Sequence, residues 1–134
     1  MKLYHYIGIH IIASNVINIT QLSVELKKMM EKYLRDPSII LESNESYWKF
    51  PDSNSIVYSV LNNQNVKIQE IVTSFLISWN YSNGYAYNVN IQQRVDTEDA
   101  IWSKNCHPEE QFLMPEIEWV NIYTWEEEEL SAVN

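Results

Sequence analysis

Between Leu3 and Ala13 the chain runs almost unbroken through aliphatic, aromatic and β-branched residues, which predicts a buried or half-buried strand. After Ala13 polar residues break in and the period changes. Leu22, Leu26, Met29, Met30 and Tyr33 fall at offsets of 0, 4, 7, 8 and 11, one face of a helix, while Glu25, Lys27, Lys28, Glu31 and Lys32 cover the other. Thr20 is the expected N-cap and Pro37 forbids continuation, so the pattern predicts one long amphipathic helix over about 20–35.

From Ile39 onward the pattern is mostly that of strands. Residues 47–50 and 55–61 flank the turn formers of 51–54, and the polar run 62–65 predicts a second turn. Residues 66–74 fit a strand or a short helix equally well. Phe75, Ile77, Trp79 and Tyr81 then alternate with polar residues, as do Tyr85, Tyr87, Val89 and Ile91. A three-residue loop over 82–84 pairs Tyr81 with Tyr85 and keeps both apolar sets on one face, with Gly84 supplying the left-handed position. Residues 95–116, punctuated by Pro108 and Pro115, read as a long acidic connection with a helical turn near 97–102. Residues 117–125 return to strand, and about 126–134 read as an acidic tail. The fold class is therefore α+β in a single domain over 1–134: an antiparallel sheet of about five or six strands with the long helix packed on one face.

Composition narrows the chemistry. The 134 residues are 46% apolar, enough for one core, and contain only Gly8 and Gly84. Two glycines cannot build the loops that bring several backbone amides against a phosphate, so P-loop and dinucleotide readings fail. The single Cys106 excludes an internal disulfide and fits a reducing compartment. Lys2 and the apolar run after it imitate a signal peptide, but Tyr4, His5, Tyr6 and His10 interrupt that run. With no stretch of about 20 apolar residues, the expectation is a cytoplasmic protein.

No catalytic residue, metal ligand or cofactor is expected. His5 and His10 are five apart on a strand and point to opposite faces. Cys106 and His107 are neighbours and lack the spacing that presents two ligands to one ion. The acidic run 96–99 lacks the glycine turn and the distant glutamate of a calcium loop. The pair Glu109 and Glu110 and the run 126–129 read as solvated surface, whereas a general acid needs burial or a tuning neighbour.

Charge is the sharpest functional feature. Residues 1–93 hold seven basic and seven acidic residues, whereas 94–134 hold two basic and eleven acidic ones, so the whole net charge of −9 falls in the last third. The same segment carries Trp102, Phe112, Trp119, Tyr123 and Trp125. An acidic field steers basic partners and aromatic anchors hold them, while nucleic acid and anionic membrane are disfavoured as direct partners. In its single domain, lone cysteine, missing catalytic motif and acidic stretch with interleaved tryptophans, the chain resembles the small acidic immunity proteins of bacterial toxin–immunity systems, including contact-dependent growth inhibition. That resemblance implies a cognate toxin as partner, typically a basic nuclease domain whose active site is occluded. Asp96, Glu98, Asp99, Glu109, Glu110, Glu116 and Glu118 would then face its Lys and Arg residues. Trp102 and Phe112 are expected as exposed anchors, and Trp119 and Trp125 as core. A phage-encoded DNA mimic acting on a host nuclease, or a small ligand-binding α+β domain, would share these features.

Overall fold

The structure, a computed structural model, describes residues 3–62, 64, 66, 87–92, 95–105 and 111–128. Seven elements follow in chain order: β1 (Leu3–Ser14), α1 (Ile19–Met30), β2 (Ile39–Ser46), β3 (Ser53–Leu61), β4 (Tyr87–Gln92), β5 (Val95–Ser103) and β6 (Ile117–Glu128). The strands form one antiparallel sheet in the order β2-β3-β1-β6-β5-β4, which confirms the α+β class. No helix among the described residues is long and apolar enough to cross a membrane.

The first strand becomes the centre of the sheet because it is the most apolar. Ile7, Ile9 and Ile11 lie opposite Val60, Tyr58 and Ile56 of β3, while Ile9, Ile11 and Ala13 lie opposite Ile122, Val120 and Ile117 of β6. All are buried, and together with Leu22, Leu26 and Met30 of α1 they form the core. Side chains alternate along a strand, so this one parity of β1, β3 and β6 supplies the central part of the helix-covered face. Tyr58, almost fully buried, turns its hydroxyl to the Ser23 Oγ of the helix at 2.8 Å, and burial pushes its pKa above the ordinary value of 10.0. Replacing Tyr58 with phenylalanine leaves Ser23 without that partner. The expected cost is about 0.5–1.5 kcal/mol by chemical denaturation.

The helix is shorter than its pattern. It spans 12 residues, with Asn18 rather than Thr20 at the N-cap, where the side chain accepts from Gln21 N at 3.0 Å. Its regular turns end at Met30, whose carbonyl accepts from both Tyr33 N (3.0 Å) and Leu34 N (2.8 Å). Asp36 then takes a left-handed φ of 49°, a conformation Asp tolerates better than most residues, and Pro37 disfavours a helical residue before it. Leu34 is still buried in the core, which is why the apolar period runs past the helix itself.

Three further expectations change. Residues 47–50 are not strand but the connection between β2 and β3, closed by bonds from Tyr47 N to Ser53 O and from Ser53 N to Phe50 O, both 2.9 Å. Residues 95–103 are not the start of a long acidic loop but β5, in register with β4 on one side and β6 on the other. Residues 126–128, expected in the acidic tail, are strand instead, because Glu126, Glu127 and Glu128 pair with His5, Tyr4 and Leu3 inside β6. In both acidic cases the ladder to an apolar neighbouring strand outweighs the weak strand preference of Asp and Glu, since that preference depends mainly on context. The three-residue loop at 82–84 and the choice between strand and helix over 67–74 lie outside the described residues.

Candidate functional site

The second face of the sheet has no helix over it among the described elements, and its chemistry is aromatic. On β1 this face presents Tyr6, Gly8, His10 and Ile12; opposite them on β6 stand Trp125, Tyr123, Asn121 and Trp119. Tyr6 stacks on Trp125 with centroids 5.2 Å apart, and Trp125 leans on Tyr123 at 5.7 Å. Gly8 makes this row possible. A Cβ at that position would overlap the Tyr123 ring, so only the bare backbone lets the ring lie across β1.

At the middle of the face is a polar cluster. His10 Nε2 lies 2.8 Å from Ser55 Oγ, its ring meets Trp119 edge-on at 5.2 Å, and Asn121 lies opposite it in the ladder. The Oδ1 of Asn121 is buried and has no hydrogen-bond partner among the described residues. Burial depresses the His10 pKa below its ordinary 6.5, so the imidazole is held neutral. The sign of the linkage follows. Above pH 6.5 the ring is neutral in both states, whereas below it the unfolded chain takes up the proton first, and stability falls with pH until the folded ring also titrates. Between wild type and His10→Gln, the stability difference should therefore shift in favour of the variant as pH drops below 6.5, read as urea midpoints across a pH series. A pH-independent difference would remove His10 from this role.

One end of this face opens into a cleft of about 300 Å³. Its floor is His10, Ile12 and Trp119, and the 47–52 connection overhangs it with Tyr47 and Phe50. Ser103 and Asn105 close it beyond β5, and Lys49 and Glu118 bring charge to it. Glu118 is there because of an irregularity in the ladder. Ile12 pairs with Trp119 but Ala13 pairs with Ile117, leaving Glu118 as the extra residue of a bulge. Its carboxylate accepts from Ser53 Oγ at 3.2 Å, and its backbone carbonyl accepts from Lys104 N at 2.9 Å.

The rim of the cleft is apolar and exposed. Trp48 is 84% accessible and Phe50 54%, both held against the Tyr47 ring at 6.0 and 5.7 Å. The turn after β1 joins them, since Asn15 N donates to Asp52 O at 2.8 Å and Val16 is 78% accessible. A hairpin tip that exposes tryptophan and phenylalanine beside an exposed valine of the adjoining turn gains nothing for the fold by doing so.

The expected anchors are reversed. Trp102 and Phe112 are 3% and 1% accessible, lie in contact at 5.8 Å, and belong to the core under α1. Trp119, Tyr123 and Trp125 are half-buried on the opposite face. Trp102 is buried because it stands in β5 opposite Val120 of the core parity, and on β6 the parity is set by the bulge at Glu118. Without it Ile117 would share the parity of Trp119; with it Ile117 joins Val120 and Ile122 in the core and the aromatics turn away. Of the expected carboxylates, Glu118 reaches the cleft, and Glu116 is half-buried with its Oε2 unpartnered among the described residues. Asp96, Glu98 and Asp99 sit on β5, with Asp99 opposite Tyr123 in register. Glu109 and Glu110 lie outside the described residues, as do Cys106 and His107. No three His, Cys, Asp or Glu side chains converge among the described residues. Sequence reading missed Trp48, Phe50 and His10. The signal for the aromatic face was Asn121, a polar residue in the middle of the Trp119–Trp125 parity while Val120 and Ile122 carried the other. Comparison with protein-family models, curated proteins and solved structures found no match to this chain.

Proposed function

We propose that this protein is an immunity-type inhibitor that binds a basic bacterial toxin, of the nuclease class, and occludes its active site. The observation that carries the reading is the exposed tip of Trp48 and Phe50 beside an aromatic cleft that holds a carboxylate, in a chain of net charge −9. Large aromatics supply most of the binding energy at protein contacts, and an acidic surface raises the association rate for a basic partner. The proposed interface is the hairpin tip and the sheet face opposite α1 rather than the acidic segment as a whole. Trp102 and Phe112 drop out of it, and Glu118 stays.

Catalysis is the weaker reading even though Ser55 and His10 have the spacing of a nucleophile and its base. Ser55 stands in β3 between β1 and β2, so the amides around it are committed to the ladder. Amides bonded in the ladder are not available to stabilise an oxyanion, the largest single contribution in acyl transfer. A ligand-binding domain has one observation in its favour, the cleft itself, whose volume lies at the lower limit for small-molecule sites.

The test is co-expression with the C-terminal domain of the protein encoded by the neighbouring open reading frame, taken as the candidate toxin, followed by affinity purification and stopped-flow association. A stable complex is expected, with a rate constant that falls about tenfold or more between low and high salt. Absence of a complex, or a rate indifferent to salt, contradicts the reading.

A further inference from the structure

We propose that the cleft beneath the 47–52 connection is a guanidinium site, which receives the head of an arginine side chain; as an account of the partner's contact, this rests on the function proposed above. The bulge in β6 delivers Glu118 to the cleft, and Ser53 Oγ orients its carboxylate. Among the described residues that carboxylate has no ion-pair partner, for the two pairs formed are His5 with Glu126 and Lys28 with Glu25. The rings of Tyr47, Phe50 and Trp119 line the same cleft. Guanidinium is the side-chain group that suits both features at once. It is planar, weakly hydrated, pairs with a carboxylate through a fork of donors, and stacks on aromatic faces.

Other occupants fit worse. An anion would meet Glu118 directly. A purely apolar group would take water from that carboxylate and return no hydrogen bond, which burial of a charge does not tolerate. A lysine ammonium would satisfy the charge but loses more hydration and cannot stack. His10 on the floor is neutral, so it does not oppose a cation. Lys49 does oppose one. It is exposed at the rim and has no ion-pair partner among the described residues, so its side chain can swing away into water at little cost.

The opposite charges of Glu118 and Lys49 make the proposal sharply testable with the free protein. Nα-acetyl-arginine amide is titrated while the indole N–H resonance of Trp119, assigned with Trp119→Phe, is followed by NMR. The citrulline amide serves as a neutral isostere and the glutamate amide as an anion. Saturable shifts are expected with the arginine probe, with a Kd on the order of millimolar, as befits a fragment. Citrulline should bind at least about fivefold more weakly, Glu118→Gln should weaken the arginine probe about three- to fivefold, and Lys49→Met should tighten it. Equal binding of arginine and citrulline overturns the site, as does tighter binding of glutamate or weaker arginine binding in Lys49→Met. The two readings fail separately. A toxin domain that binds while the arginine probe leaves Trp119 unmoved sinks the guanidinium site alone. A probe that binds as expected beside a toxin domain that does not associate sinks the immunity reading and leaves the site standing.

Discussion

Replacing Trp102 with alanine should cost the fold about 3 kcal/mol, at the lower end of the range of about 3–5 kcal/mol for a buried tryptophan. Two opposing effects set that position in the range. The side chain is 3% accessible and packs on Phe112, so truncation opens a large cavity among core residues. Against this, its indole N–H is buried with no partner among the described residues, a liability of about 1–3 kcal/mol that the substitution removes. Trp102→Phe separates the two, because it keeps a ring against Phe112 and deletes the N–H; its cost should stay below about 1.5 kcal/mol. Domains of this size carry about 5–15 kcal/mol in total, so the alanine variant loses a substantial fraction and its urea midpoint should move accordingly. Were Trp102 the surface anchor its setting in an acidic stretch suggests, the same substitution would change stability by no more than about 0.5 kcal/mol. The two pictures differ severalfold on one denaturation curve.

The second large effect lies in binding. Trp48→Ala combined with Phe50→Ala should weaken the complex with the toxin domain at least about 100-fold, close to 3 kcal/mol, while stability stays within about 0.5 kcal/mol of wild type. The reasoning runs from accessibility. Both side chains are more than half exposed, with ring contacts to Tyr47, so the fold has little to lose when they go. At a contact, the same two rings would bury most of the apolar surface that the tip offers. A double variant that binds as wild type does, with its fold intact, would remove the tip from the interface. The control is Val24→Ala on the exposed side of α1, which should leave both properties unchanged.

How far the sequence disclosed this arrangement can be followed residue by residue. β1, the one helix and the strand at 117–125 were legible because an unbroken apolar run and a 3.6-residue period are local properties. The helix end was misread because Leu34 keeps the period after the hydrogen bonding has changed, and composition cannot show that Met30 O serves two amides. β5 was hidden because Asp96, Glu98 and Asp99 disfavour a strand in isolation, and only pairing with β4 and β6 makes one. The largest error, the exchange of Trp102 with Trp119 between core and surface, had two sources: Trp102 was hidden with β5, and the parity of Trp119 was confused by a single inserted residue. Parity along 117–125 is unambiguous in the sequence only if the strand is regular, and the bulge at Glu118 shifts Ile117 to the other set. The same bulge carries Glu118 into the cleft, so the feature that defeated the reading of the core also builds the site.

The most direct test of the account is hydroxyl-radical footprinting of the protein alone and in complex with the toxin domain. If the hairpin tip and the sheet face opposite α1 form the contact, oxidation of Trp48 and Phe50 should fall severalfold on binding, Trp119 should follow them, and Val24 and the exposed face of α1 should be unaffected. Unchanged oxidation of Trp48 in a saturated complex, with protection of α1 instead, would contradict it.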